Sequence, residues 1–281
     1  MENEAFIKKI LVPVDKSDSS LMSQETAALI AKKTHASVTV LHVVPRVSYG
    51  KPETAALILS GLDQEGQRIV GEARGLFTEE KVEVKAEVLH EEDVAETILE
   101  FSGDDFDLIV IGGRGENEKG LNALGSVTKK VIMHASCPTM IVKKVSTLSN
   151  MLVCVDGSDH AMKALNYALS LAEKMGSRMT LLNVQEPRLH KASPDVAMEL
   201  GGRVLCESLD AVEKRKLAAD RRLEFGVPSD VIVDVAEKGN HDLIVLGSRG
   251  LGAVKRFLLG SVSDDVSYKA KCSVLIVPAK L

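Results

Sequence analysis

One glycine pattern occurs twice in this chain and limits what it can fold into. Gly112-x-x-Gly115 is followed after nine residues by Gly125-Ser126, and Gly247-x-x-Gly250 after nine residues by Gly260-Ser261. Each copy follows an acid-led apolar run, Asp107-Leu108-Ile109-Val110-Ile111 and Asp242-Leu243-Ile244-Val245-Leu246. Each glycine cluster is therefore expected at the carboxyl end of a buried strand, where open α/β sheets bind ligands. Glycine lets the backbone turn tightly and approach an anion, and Gly-Ser opening a helix aims N–H groups at it. Two phosphate sites are expected.

The repeat extends beyond the glycines. Ile10-Leu11-Val12-Pro13-Val14-Asp15 matches Met151-Leu152-Val153-Cys154-Val155-Asp156, and Val38-Thr39-Val40-Leu41-His42-Val43 matches Met179-Thr180-Leu181-Leu182-Asn183-Val184, both at an offset of 141 residues. At the glycine clusters the offset is 135, so the second half has lost six residues between its second and fourth strands. A chain of 281 residues is long enough for two domains with separate cores. The boundary is expected near residues 145–150, where Ser146-Thr147-Leu148-Ser149-Asn150 interrupts the apolar pattern, giving domains 1–146 and 147–281.

Composition removes several function classes. A net charge of −5, without a basic stripe carrying aromatic residues, argues against nucleic acid as a partner. Met1-Glu2-Asn3-Glu4 lacks the basic-then-apolar form of a signal, and no apolar run approaches the ~18 residues of a membrane span. The expectation is a cytoplasmic protein with no membrane partner. Cys137, Cys154, Cys206 and Cys272 are scattered, with no C-x-x-C pair and no histidine at ligand spacing. Cys137 and Cys272, equivalent in the repeat, read as small buried side chains.

Along the first half, strands are expected at 7–14, 37–44, 82–89, 108–111 and 139–142. Helices are expected at 19–33, 53–77, 94–103 and 126–134. Such alternation with apolar strands implies a parallel sheet covered on both faces. Ala161, Leu165, Ala168, Leu169 and Ala172 recur at helical spacing, and Ser20, Gln24, Ala27, Ala28 and Ala31 form the matching stripe. Asp230-Val231-Ile232-Val233-Asp234-Val235 has the composition of a strand. It lies too close to the next strand for a parallel crossover, so 229–238 is read as the crossover helix and 221–225 as a short, charged third strand.

The first strand of each half ends in Asp15-Lys16-Ser17-Asp18 or Asp156-Gly157-Ser158-Asp159. A carboxylate there can accept hydrogen bonds from a ribose or an adenine edge, or it can simply hold the turn into the next helix. Its repetition opposite the glycine clusters favours a ligand, because the first and fourth strands flank the crevice of a doubly wound sheet. No G-x-x-x-x-G-K-[ST], no G-x-G-x-x-G after the first strand and no G-x-S-x-G occurs, which weakens P-loop enzymes, dinucleotide enzymes and serine hydrolases. His42, His90, His134 and His241 stand singly, and Tyr49, Tyr167 and Tyr268 form no pattern.

These residues resemble the universal stress protein family over nearly the whole chain, as two tandem domains. The resemblance rests on the strand-end aspartates, on Leu41-His42-Val43-Val44 and on G-x-x-G-x9-G-[ST] in both halves, a pattern similar to that of the family's nucleotide-binding branch. It implies two tandem doubly wound α/β domains with five-stranded parallel sheets of order 3-2-1-4-5. It also implies ATP or another adenine nucleotide as cofactor, with Mg2+ or Mn2+ on the phosphates. Carried over, Pro13 and Asp15 meet the adenosine, Val43 lines the adenine pocket, and Ile111, Gly112, Arg114 and Gly115 wrap the ribose and phosphates. Gly125, Ser126, Val127 and Thr128 then face the phosphate tail. In the second half the same roles fall to Asp156, Val184, Leu246, Gly247, Arg249, Gly250, Gly260, Ser261, Val262 and Ser263. Arg114 and Arg249 either neutralise phosphate charge or lie solvated at a loop tip. The resemblance further implies that the last strands of the two halves, 139–143 and 273–277, pair within the chain as a pseudo-dimer, and a homodimer is compatible with it.

The halves differ. Glu116-Asn117-Glu118-Lys119 places two acids near the first phosphate site, whereas the second has Leu251, Lys255 and Arg256. Like charge weakens polyphosphate binding by about 1 kcal/mol, so the second half is expected to bind ATP more tightly, or the first to prefer fewer phosphates. The first half also shows Glu91-Glu92-Asp93 where the family usually has a glycine. Three functions fit: a nucleotide-dependent sensor or regulator, a slow ATP hydrolase or nucleotidyl or phosphoryl transferase, or a dimerisation scaffold whose glycines serve turn geometry alone.

Overall fold

The computed structural model describes residues 7–46, 52–115, 124–250 and 259–278, without the side chains of 52–55 and 190. Tyr49, Glu116, Asn117, Glu118, Lys119, Leu251, Lys255 and Arg256 lie outside the described residues. By contacts the chain forms two compact units, residues 1–135 and 136–281.

The first unit runs β1 (Lys9–Pro13), α1 (Asp18–Thr34), β2 (Ser37–Pro45), α2 (Pro52–Glu79), β3 (Val84–Glu91), α3 (Val94–Ser102), β4 (Leu108–Gly112) and α4 (Ser126–His134). Its strands stand in the order β3-β2-β1-β4, all parallel. The chain steps outward from β1 to β3 and then returns past β1 to β4. Right-handed crossovers in opposite directions put the connecting helices on opposite faces, and α1 accordingly packs with α2 and α3 with α4. β1 and β4 are covered from both sides, which requires the continuous apolar runs read in the sequence.

The second unit contains β5 (Thr139–Val142), β6 (Asn150–Cys154), α5 (Asp159–Met175), β7 (Arg178–Gln185), α6 (Pro187–Ala192), α7 (Pro194–Lys214), β8 (Ala219–Phe225), α8 (Pro228–Lys238), β9 (Leu243–Gly247), α9 (Ser261–Lys269) and β10 (Ser273–Val277). Its order is β5-β10-β9-β6-β7-β8. The five strands from β8 to β10 are parallel, in the 3-2-1-4-5 arrangement. β5, the last strand of the first repeat, pairs antiparallel with β10 through Met140 and Leu275, which explains why it counts with this unit. Lys143 donates from Nζ to the carbonyls of Tyr268 and Ala270 at the end of α9. A cation there satisfies carbonyls that the helix leaves unpaired.

Local chemistry starts and stops the first helix of each unit in the same way. Ser17 and Ser158 are N-caps whose side chains accept from the amides of Ser20 and Ala161; truncating such a cap costs about 1 kcal/mol. The apolar stripes of both helices are buried, Leu165 and Leu169 completely. α1 stops at His35 and α5 at Gly176, each in the left-handed conformation.

The six missing residues are located by register. Val38 lies beside Val84 and Met179 beside Ala219, so the offset has already become 135 at the third strand. The deletion falls in the connection spanned by α2 in one half and by α6 and α7 in the other. Pro194 begins α7, splitting what is a single helix of 28 residues in the first half. The crossover helix α8 and the charged strand β8 form where spacing placed them. β3 and β8 depart from the apolar pattern because each is paired on one edge alone within its unit.

Candidate functional site

In the second unit a cleft of about 520 Å³ opens where β6, β7 and β9 end. Leu182, Val184, Leu246, Leu189, Pro228 and Ile232 make its apolar wall, and Asp156 and Arg249 bring opposite charges to it. Gly247, Gly250, Gly260, Ser261, Val262 and Ser263 complete the lining. Every second-half residue expected from the sequence to meet the nucleotide, from Asp156 to Ser263, therefore faces one cavity.

Asp156 serves the turn as well as the cleft, so both roles left open by the sequence apply to its position. Its Oδ1 accepts from the amide of Ser158 at 2.9 Å. Its other oxygen lies against Gly250, where a β-carbon would overlap it. A β-carbon on Gly247 would sit 2.8 Å from the carbonyl carbon of His160 on α5. Gly247 is thus required by the approach of α5 backbone, while a side chain at position 250 would displace the Asp156 carboxylate. Ser263 donates to the carbonyl of Gly247 at 2.8 Å, and the Gly260 amide donates to that of Ser248 at 2.8 Å. These bonds dock the start of α9 onto the end of β9. Gly260 is the N-cap and supplies no side-chain hydrogen bond, and the first turn of a helix concentrates N–H groups that its own backbone does not pair.

The first unit repeats this framework. Asp15 Oδ1 accepts from the Ser17 amide at 3.0 Å and from its hydroxyl at 2.5 Å. A β-carbon on Gly115 would lie 3.2 Å from Asp15 Oδ2, and one on Gly112 would run into the Ser19 backbone at 2.8 Å. Thr128 donates to the Gly112 carbonyl at 2.7 Å, Gly125 to the Gly113 carbonyl at 2.8 Å, and the Arg114 amide to Ser19 Oγ at 3.2 Å. Ile111 and Val43 are buried beside them, and Pro13 ends β1 against Leu41. Gly125 caps α4, whose first turn carries Ser126, Val127 and Thr128.

The sequence reading contrasted the halves by charge and did not give a role to the second-strand residues that also distinguish them. His42 and Asn183 hold equivalent positions, and each bonds the carbonyl just before its strand-end aspartate: His42 Nδ1 to Val14, and Asn183 Nδ2 to Val155, both at 2.7 Å. Beyond them the first half has Val44 and Pro45, while the second has Gln185 and Glu186, both lining the cleft. Glycines in the long helices, Gly66 and Gly201, let α2 and α7 lie on these strands. A β-carbon would come within 3.0 Å of the His42 ring and within 2.9 Å of Asn183 Oδ1, respectively. Lys16, at the mouth of the first site, pairs with Glu65 of α2 at 2.7 Å. Hydrogen bonds from Arg68, then from Lys16, hold the Glu65 carboxyl at about 2. The second half has Gly157 there, at φ 85°.

Two more of the single histidines have local partners: His90 bonds Asp63 at 3.1 Å and His241 Nε2 bonds Thr180 Oγ1 at 3.2 Å. Cys137 is buried, and burial pushes the thiol of Cys272 up to about 11. Cys154 borders the cleft, but burial raises its thiol far above the ordinary range, which keeps it protonated and unreactive. Among the described residues no cluster of three or more His, Cys, Asp or Glu side chains gathers. A Mg2+ or Mn2+ ion would depend on phosphate oxygens and water, since these side chains do not build a metal site of their own.

A family model described as the universal stress protein family matches residues 7–143 and again residues 147–278. The chain belongs to that family. A Staphylococcus aureus (strain USA300) chain named as a universal stress protein is 34% identical over 140 residues, covering 47% of this chain and 84% of its own length. The crystal structure of a universal stress protein from Archaeoglobus fulgidus covers 96% of this chain and 98% of its own, with a TM-score of 0.76 at 22% identity. It shows that the tandem α/β architecture of this universal stress protein occurs in a whole solved chain. Another family member, solved in complex with cAMP, is 27% identical across 47% of this chain and 98% of its own, with a TM-score of 0.41. No helix among the described residues is long and apolar enough to cross a membrane.

Proposed function

We propose that this universal stress protein is a nucleotide-dependent sensor or regulator that binds an adenine nucleotide in each of two domains, residues 1–146 and 147–281. One observation carries the reading: a single cleft collects a strand-end carboxylate, an apolar wall and a glycine-capped helix start. The base lies against Val184 and Leu246, the ribose hydroxyls meet Asp156, and the phosphates rest on the first turn of α9 beside Arg249. Mg2+ or Mn2+ would accompany the phosphates. The first half supports the same assignment for Asp15, Val43, Arg114, Gly115 and the start of α4.

Retention without rapid turnover fits the lining. Among its described residues there is no histidine, and the acids are Asp156 and Glu186. Phosphoryl transfer needs a group that orients the attacking nucleophile near the phosphates; in this reading Asp156 is engaged by the ribose and by the Ser158 amide. A bound nucleotide acts as a signal only through different affinities for two states of the protein.

Freshly purified protein, denatured and chromatographed, is expected to release an adenine nucleotide. ATP incubated with the protein is expected to stay intact over many binding lifetimes. Protein that carries no nucleotide and shows no ATP affinity by calorimetry would leave the scaffold reading, while ADP formation lost in Gly250→Val would support an enzyme.

A further inference from the structure

β8 is the last strand of its sheet, and a groove of about 770 Å³ lies between it and one face of α7. Cys206, Leu209, Asp210 and Glu213, at helical spacing, form one wall, and Ala219, Asp220 and Arg221 form the other. Asp210, Glu213, Asp220 and Arg221 are exposed and carry no ion pair among the described residues. Two bonds further in fix how the strand's backbone points. Gly226 donates to the Gln185 carbonyl at 3.1 Å, and Val155 to the Leu182 carbonyl at 2.9 Å on the other side of β7. Successive strand residues turn their backbone groups to opposite edges. Asp220, Arg222 and Glu224 therefore bond to β7, whereas Ala219, Arg221 and Leu223 aim their N–H and C=O groups away from it.

We infer that a second copy of the chain docks on this edge, its β8 pairing antiparallel with β8 about a two-fold axis at Arg221. A ladder forms only where outward residues meet outward residues, which leaves few registers. Centred on Arg222, the pairing would oppose Arg222 to Arg222 of the partner subunit and Asp220 to Glu224 of the partner subunit, like charge against like. Centred on Leu223, it would give Arg222 only Glu224 of the partner subunit, a position whose carboxylate is already paired within its own chain. Centred on Arg221, it opposes Asp220 to Arg222 of the partner subunit, twice. Leu223 packs against Gly201 of α7, so Arg221, two residues earlier, shares that face. The two Arg221 side chains then meet between grooves that each carry Asp210 and Glu213. Charges that ordinarily keep an edge strand single are self-complementary here. A ladder of this length belongs at the small end of specific interfaces, so the dimer is reversible.

Sedimentation of the full-length chain between about 1 and 200 µM is expected to show monomer converting to dimer. Asp220→Arg and Arg222→Asp each turn two attractive pairs into repulsive ones and should weaken self-association about 10-fold or more. An equimolar mixture of the two variants should recover association to within about 3-fold of the unsubstituted chain, because each supplies the charge the other lacks. Recovery on mixing cannot arise from a folding defect. A chain that stays monomeric throughout that range, a dimer indifferent to both substitutions, or a mixture no tighter than its components would each overturn the proposal.

Discussion

The two halves deliver the same backbone framework to their ligand sites with different side chains along the second strand. The first presents His42, Val44 and Pro45, and the second Asn183, Gln185 and Glu186. Carbonyls at Val14 and Val155 are bonded in both, and Thr128 and Ser263 make the same bond to Gly112 and Gly247. The glycine-lined end is thus copied in main-chain geometry, where glycine and a small hydroxyl residue recur. The second-strand end is free to diverge because an imidazole and an amide can hold the same carbonyl.

The largest effects that would break this comparison fall at the paired glycines. Gly250→Ala forces a β-carbon into the Asp156 carboxylate, whereas Gly115→Ala leaves a tight 3.2 Å contact with Asp15. ATP affinity at the second site is expected to fall by more than about 30-fold, or 2 kcal/mol. The first site should lose about 3-fold; calorimetric losses of the same size in both halves would remove the difference. Next in size, Thr128→Val and Ser263→Ala each orphan a buried carbonyl and should destabilise their own half by about 1–2 kcal/mol. Urea unfolding followed by domain-specific probes would show whether the two bonds are equivalent.

A smaller effect separates the opposite ends of the two sheets. His241 precedes β9 where Phe106 precedes β4, and Phe106 packs on Phe101 with ring centroids 5.9 Å apart. Burial lowers the His241 pKa below 6.5, and its Nδ1 is buried with no hydrogen-bond partner among the described residues. The folded state therefore favours the neutral ring. Its contribution to stability is present above pH 6.5 and declines as pH falls through the lowered value, because the unfolded chain binds the proton more readily. His241→Phe should flatten the acid side of the unfolding profile between pH 7.5 and 5.5. An unchanged slope would show that other groups dominate.

Most of the architecture was legible because two periodicities recur at a fixed offset, and a strand such as Leu243–Gly247 cannot be polar when both faces are covered. β8 was harder to read, since its single paired edge within the unit tolerates Asp220, Arg221 and Arg222; spacing rather than composition located it. The site was readable where backbone geometry restricts residue choice, at Asp156, Gly247, Gly250 and Gly260. Asn183 and Gln185 were missed because an amide in a strand carries no motif, and its importance arises from the carbonyl it meets across the sheet. Gly66 and Gly201 did not stand out from Gly61, Gly71, Gly75 and Gly202 of the same helices, where a β-carbon would meet nothing within 4 Å; only the close helix-to-strand contact singles them out. The charge contrast built on Glu116 and Glu118 predicts a steeper loss of affinity from AMP to ATP in the first half than in the second, testable by titrating Gly250→Val and Gly115→Val proteins with each nucleotide.

Amide NMR on 15N-labelled protein during ATP addition tests the central claim most directly, because it reads the N–H groups that would hold the phosphates. The account predicts saturable shifts of Ser261, Val262 and Ser263, larger with ATP than with adenosine. Saturable ATP binding that leaves those three amides unmoved would contradict it.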